Sequence, residues 1–217
     1  LPTLENRQLA CRRPSGPPVM YQSWADLAFL HWEIDPALIE STLPPGMSVD
    51  TFEGRAYVGL VPFYMQNIRL RGLPKVPGTV NFLEMNVRTY VYDSSGTPGV
   101  WFYSLDASNP LACIVAQRRF HLPYYPAKMS APRHGDEIHY QCVPKRGTSE
   151  HRSTIFYSGT GNDVSGTPGT IEYFLAERYR LFAWQPNREQ LLVGSVAHPP
   201  YRLETAKVSQ CQAGAMK

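Results

Sequence analysis

Four side chains spaced two residues apart, Glu84, Asn86, Arg88 and Tyr90, carry the functional groups in this sequence best suited to chemistry. They alternate with Leu83, Met85, Val87 and Val91 inside the segment 82–91, so an extended backbone puts all four on one face and the apolar residues on the other. An acid there can move a proton. A guanidinium can grip a carboxylate through two parallel hydrogen bonds, and an amide and a phenol can orient what is bound. Turned into a cleft, this face would be a polar site on a rigid element. Turned to water, it would be an ordinary exposed face on which an acid lies near an arginine. The segment alone leaves both readings open, and the surrounding sequence favours the site.

The elements that must hold this row are short and heavily punctuated. With 20 prolines and 16 glycines spread along 217 residues, the pattern is that of a β-rich α+β domain with many turns. Residues 1–20 read as an irregular arm carrying Arg12 and Arg13. The aromatic run 24–32 reads as a strand. Asp35-Pro36 opens a short helix that ends before Leu43-Pro44-Pro45-Gly46, Asp being a good N-cap and Pro favoured in the first turn. Strands are expected at 49–52 and 55–64, then at 82–91 and 99–105; the last two are joined by the turn Asp93-Ser94-Ser95-Gly96, too short for a crossover helix. The best helical spacing covers 110–119, after Asn109. Further strands are expected at 137–143, 153–158, 179–184 and 190–197, a short helix at 171–178, and a disordered tail at 206–217. One domain accounts for the whole chain.

Composition excludes several classes of function. A net charge of +3 with no basic run argues against nucleic acid. No apolar stretch approaches the ~20 residues needed to cross a bilayer as a helix. Cys11, Cys113, Cys142 and Cys211 stand singly, favouring free thiols and a cytoplasmic location; the segment beginning Leu1-Pro2-Thr3 also lacks the apolar core of a signal peptide. The histidines show no metal-ligand spacing, so neither a metal nor a cofactor is expected. Tyr90, Trp101, Tyr124 and Tyr125 can wall a pocket and offer polar tips, Trp101 being better suited to the core. Asp106 fits a cap for the loop or helix that follows, with Ser104 and Phe102 on its face. Glu177 and Arg178 fit structural ion pairs, Arg178 being also a candidate second cation of the cavity.

Several segments, in order, resemble the YqjF-like family. They include Trp24–Trp32, Leu43–Gly46, Asp50–Gly59, Phe82–Val91, Gly99–Asp106, Arg119–Tyr125, Phe174–Leu181 and His198–Tyr201. That family is similar in turn to the acetoacetate decarboxylase-like superfamily. The resemblance implies a mainly β (α+β) domain in which a curved antiparallel sheet closes into a cone or barrel with a few peripheral helices. It also implies a central cavity with Glu84 inside. Decarboxylase chemistry needs a neutral lysine that attacks a ketone to form a Schiff base. Aligned on Pro126 with the superfamily's Gly-x-Pro-Lys-Lys segment, the nucleophile position here is Ala127, and Lys128 takes the place of the second lysine. Adjacent residues of a strand face opposite ways, so Lys128 can replace the nucleophile only through a bulge or a change of register.

Two functions follow. One is a lyase-like enzyme acting on a small oxo acid, with Glu84 and Lys128 catalytic and Arg88, Asn86, Tyr90, Tyr124 and Tyr125 binding substrate. The other is a domain that binds a small carboxylate or ketone without catalysis, having lost the Schiff-base lysine. Either is compatible with a homo-oligomer.

Overall fold

The computed structural model describes residues 1–74 and 80–216. In chain order the elements are α1 (Leu4–Ala10), β1 (Met20–Ala25), β2 (Leu30–Ile34), α2 (Pro36–Glu40), β3 (Met47–Val49), β4 (Ala56–Leu70), β5 (Phe82–Asp93), β6 (Pro98–Ala107) and α3 (Pro110–Phe120). Then follow β7 (Tyr124–Ser130), β8 (Arg133–His134), β9 (Glu137–Pro144), β10 (Ser153–Val164), α4 (Ile171–Ala176), β11 (Arg180–Gln185), β12 (Gln190–Ser195) and β13 (Leu203–Ala213).

The strands form one sheet whose main path is β1-β4-β5-β6-β7-β9-β10-β13, with the short strands attached at its sides. Two features differ from the expected antiparallel barrel. β6 pairs in parallel with both β7 and β11, so the sheet is mixed. The ladder is also an open path, with no pairing between β1 and β13 among the described residues. The sheet nonetheless doubles over. Leu60 and Met85 of β4 and β5 share one core with Tyr140, Cys142 and Ile155 of β9 and β10, all within 2 % of complete burial. Each aliphatic side chain buried there is worth roughly 1.5–3 kcal/mol. The Tyr140 hydroxyl spans the fold, 2.7 Å from the Glu84 carbonyl and 3.1 Å from that of Phe63.

The ends of the chain are more ordered than their composition suggests. Thr3 and Asn6 form a reciprocal capping box that starts α1 inside the expected arm. The expected tail is the edge strand β13 followed by a 3₁₀ turn, Gly214–Met216, with Lys217 outside the described residues. Its periodicity hid it, because β13 is exposed on both faces and has no apolar alternation to read. The expected strand 24–32 is broken at Asp26, whose φ of 54° takes the chain out of the β region, so β1 and β2 lie one after the other along β4. The helix after Asn109 forms as its cap predicts: the Asn109 side chain accepts from the Leu111 and Ala112 amides.

Candidate functional site

β5 is buried along both faces for most of its length. Glu84, Asn86, Arg88 and Tyr90 are 2, 5, 9 and 0 % exposed, which excludes an ordinary solvent face. Across the ladder Phe63, Val61 and Gly59 of β4 stand beside Glu84, Asn86 and Arg88. Gly59 matters because a methyl group there would come within 3.1 Å of the His31 ring and 3.5 Å of the Arg88 Cγ. Its missing side chain is the space in which those two meet.

Glu84 does not pair with Arg88. Four residues along a strand separate their Cα atoms by about 13 Å. The Glu84 carboxyl accepts a 2.9 Å hydrogen bond from the Tyr124 hydroxyl, and burial pushes its pKa up to about 8, an effect that bond only partly offsets. A carboxyl raised toward neutrality can give a proton and, once ionised, take one back. Tyr124, half-buried against it, is pushed well above the ordinary tyrosine range, first by burial and then by the Glu84 charge.

Arg88 donates through Nη2 to the Leu175 carbonyl at 3.1 Å and to the Tyr90 hydroxyl at 3.3 Å, and its guanidinium lies 5.2 Å from the centre of the Phe29 ring. Its Nε is buried without a partner, as is the side-chain oxygen of Asn86. Among the described residues no acid lies within ion-pairing distance of Arg88. Tyr90 donates to the Leu175 carbonyl at 2.9 Å and lies 2.6 Å from Nε2 of His31. Burial and the Arg88 charge push the His31 pKa down to about 3, so its ring is neutral.

Of the remaining expected site residues, Tyr125 and Lys128 lie elsewhere. Tyr125 follows Tyr124 on β7 and faces the other way, stacked under the Arg146 guanidinium at 3.5 Å. Lys128 is exposed, whereas Ala127 is 5 % exposed and part of the main core. No bulge rescues the register: Ala127 and Lys128 pair in turn with Pro144 and Val143. The expected catalytic pair, Glu84 and Lys128, is therefore not brought together.

Sequence reasoning missed two buried groups. A bulge shifts the β5–β6 register between Val87 and Arg88, so Phe102 stands beside Arg88 while Ser104 stands beside Val87 on the opposite face. Phe102 and Ser104 consequently do not share a face, and Asp106 points into the core rather than capping a helix. Asp106 is completely buried with neither oxygen hydrogen-bonded; Arg146 Nη2 lies 3.3 Å away, and the Ser104 hydroxyl is also unpartnered. Burial pushes the Asp106 carboxyl up to about 6, against the pull of Arg146 and His151. The second group centres on Asp50, completely buried, which takes Arg7 in bidentate fashion at 2.6 and 2.7 Å and Arg178 at 2.7 Å. Arg178 thus pairs with Asp50 and not with Glu177, whose carboxylate accepts from the Tyr179 hydroxyl and the Tyr201 amide. No charge spacing in the sequence announces either group.

Among the described residues no cluster of three or more His, Cys, Asp or Glu side chains is placed to hold a metal, and the four cysteines are free. No helix among them is long and apolar enough to cross a membrane.

The DUF2071 family, described as an uncharacterized conserved protein, matches residues 21–217. The uncharacterized protein YqjF of Bacillus subtilis (strain 168) is 36 % identical over 195 residues, covering 89 % of this chain and 78 % of YqjF. Among solved structures, an acetoacetate decarboxylase-like enzyme from Sphingomonas wittichii RW1 superposes with a TM-score of 0.62 at 13 % identity, covering 90 % of this chain and 81 % of that one. The enduracididine biosynthesis enzyme MppR, complexed with the condensation product of pyruvate and imidazole 4-carboxaldehyde, gives 0.63 at 13 %, covering 89 % and 77 %. The acetoacetate decarboxylase of Legionella pneumophila gives 0.56 at 12 %, covering 96 % and 82 %. At these identities the structural likeness establishes the fold, which is mainly β and acetoacetate decarboxylase-like.

Proposed function

Since the chain belongs to the DUF2071 (YqjF-like) family and has the acetoacetate decarboxylase-like fold, we propose that it binds a small carboxylate, such as an oxo acid, at Arg88 and does so without Schiff-base chemistry. One observation carries the reading: Arg88 is a buried guanidinium with an unpartnered Nε and no acid in ion-pairing distance among the described residues. An uncompensated buried charge costs several kcal/mol, and a ligand carboxylate would remove that cost while making charge-assisted hydrogen bonds. Asn86 and Tyr90 flank Arg88 on the same strand face, within reach of what it holds.

The fold relative that carries pyruvate in its complex makes an oxo acid a reasonable first ligand to try. Amine catalysis is disfavoured because Lys128 is exposed and Ala127 is packed in the main core. The Glu84 carboxyl, raised by burial and hydrogen-bonded by Tyr124, is the acid on this strand face best suited to proton transfer, at a distance from the Arg88 anchor.

The test is calorimetric titration of the protein with pyruvate, acetoacetate and their uncharged amide analogues, alongside borohydride reduction of each mixture and intact mass measurement. Binding of the acids alone, lost in Arg88→Met, with no reduced adduct, is the expected result. A stable lysine adduct would overturn the exclusion of Schiff-base chemistry. Equal binding of acids and amides would overturn the role of Arg88.

A further inference from the structure

The open sheet ends in two free edges that run the same way. β2 pairs only with β4 and β13 only with β10 among the described residues. From β2 to β13 the ladder takes six antiparallel steps and the one parallel step between β6 and β7, so the two end strands point in one direction. A single strand running against them would be antiparallel to both at once. Each unpaired edge offers the backbone N–H and C=O groups to hold it.

A groove of about 680 Å³ lies between these strands. Its floor continues the core side of the sheet, the side away from Arg88. Leu30 stands opposite Leu60 and Cys211 opposite Ile155 on their ladders, and both partners belong to the main core with Met85 and Val87. Four extended residues, at about 3.4 Å each in a strand about 4.8 Å wide and about 10 Å thick, fill roughly 650 Å³. None of the described residues lining the groove is Asp, Glu, Lys or Arg, and the His31 ring is neutral because burial pushes its pKa down to about 3. A charged ligand therefore finds no counter-ion there, whereas a neutral peptide backbone finds two ladders.

We propose that the β2–β13 groove takes an extended peptide segment of a partner protein, antiparallel to both edges, with uncharged apolar side chains at alternate positions turned to Leu30, Tyr157 and Met216. A second folded copy of this chain is not the favoured occupant. Every described strand already has a neighbour, so a copy can meet one edge but cannot enter between two. The inference stands apart from the reading of Arg88, which concerns the other face of the sheet.

The experiment is titration of the protein with three soluble peptides of about eight residues, in which threonine alternates with valine, leucine or phenylalanine, followed by amide hydrogen exchange of the complex. At least one should bind, one peptide to each chain, and slow exchange in both Leu30–Ile34 and Leu203–Ala213. Successive residues of a strand direct their N–H groups to opposite edges. N-methylation of the odd residues in one peptide, and of the even residues in another, should therefore each weaken binding about two- to tenfold per amide blocked. Trp32→Lys and Val208→Lys, at positions 37 % and 41 % exposed on the two walls, should weaken binding at least about tenfold by setting a charge against the peptide, with urea midpoints unchanged. Sensitivity to one methylation pattern only, with exchange slowed in one strand, would reduce the groove to a single edge and overturn insertion. Methylated peptides binding as well as the parents would overturn the ladders, and no binding by any of the three at about 1 mM would overturn the site. Protection of β2 or β13 that grows with protein concentration in the absence of peptide would mean that a second copy covers that edge, which equally overturns the peptide as its occupant.

Discussion

The two faces of the β5–β6 ladder are both buried and both carry ionisable groups, yet they treat charge differently. On one face Asp106 has a cation beside it, because Arg146 reaches in from a partly exposed position and lies over Tyr125. Asp50 also has cations beside it, the two guanidiniums of Arg7 and Arg178 sharing its one carboxylate. On the other face burial pushes the Glu84 carboxyl up to about 8, and the Arg88 guanidinium meets carbonyl and hydroxyl acceptors with no acid in ion-pairing distance among the described residues. A buried charge that the protein compensates is structural by default; one that it leaves uncompensated marks the place where something else is meant to bind.

The largest effect is expected from Arg88→Met. The apolar replacement should weaken carboxylate binding by at least about 100-fold, the scale of losing charge-assisted hydrogen bonds to an anion. Stability should nonetheless stay level or rise by about 1–2 kcal/mol, because a buried uncompensated charge is gone and the Leu175 carbonyl keeps the Tyr90 hydroxyl. Urea unfolding at pH 7 together with ligand titration measures both. A variant that loses stability along with binding would put Arg88 among the structural charges, with Asp50.

Glu84 and Asp106 give the next contrast through pH. An acid whose pKa is raised by folding binds more protons folded than unfolded, so it costs stability as pH rises through the window between the two values. For Glu84 the window runs from about 4.5 to about 8, and the loss is on the order of 5 kcal/mol. Glu84→Gln keeps an acceptor for Tyr124 and should remove that loss, gaining on wild type between pH 5 and pH 8. His31, depressed to about 3, acts in the opposite sense: its contribution is lost as pH falls below about 6.5. The difference between wild type and Glu84→Gln isolates the acid from it. Asp106→Asn should show a smaller gain, about 2–3 kcal/mol, complete by about pH 6 because that window is 3.8 to about 6. Denaturation at pH 4, 5, 6 and 8 separates the two profiles. Gains confined to the same window for both variants would mean that the two faces do not differ as described.

How much of this was legible in the sequence depends on where the information is local. The β5 row was readable because alternation is a property of adjacent residues, and the Asn109 helix because a cap and its helix are neighbours in the chain. Ser104 and Asp106 were misplaced because one bulge opposite Val87 and Arg88 exchanges faces, and nothing in Phe102-Tyr103-Ser104 signals it. Arg7 and Asp50 are 43 residues apart, and Arg178 is 128 from Asp50; only the fold brings them together. β13 was missed because a strand exposed on both faces has no reason to alternate.

The alternation that revealed the β5 row also limits what β7 can do, and the smallest predicted effect tests that limit. Side chains on β7 point by turns to Glu84, to Arg146, to the core and to water: Tyr124, Tyr125, Ala127 and Lys128. A lysine acts as a nucleophile only where burial or a neighbouring cation keeps its amine neutral, and an exposed position provides no burial. Lys128→Ala should therefore leave carboxylate binding unchanged and stability within about 0.5 kcal/mol of wild type, the usual range for a surface substitution. Titration of pyruvate into this variant and a urea melt are sufficient to check it. A loss of binding comparable to that of Arg88→Met would mean that Lys128 reaches the ligand after all, and the distinction drawn here between an inward alanine and an outward lysine would fail at the position on which the exclusion of Schiff-base chemistry depends.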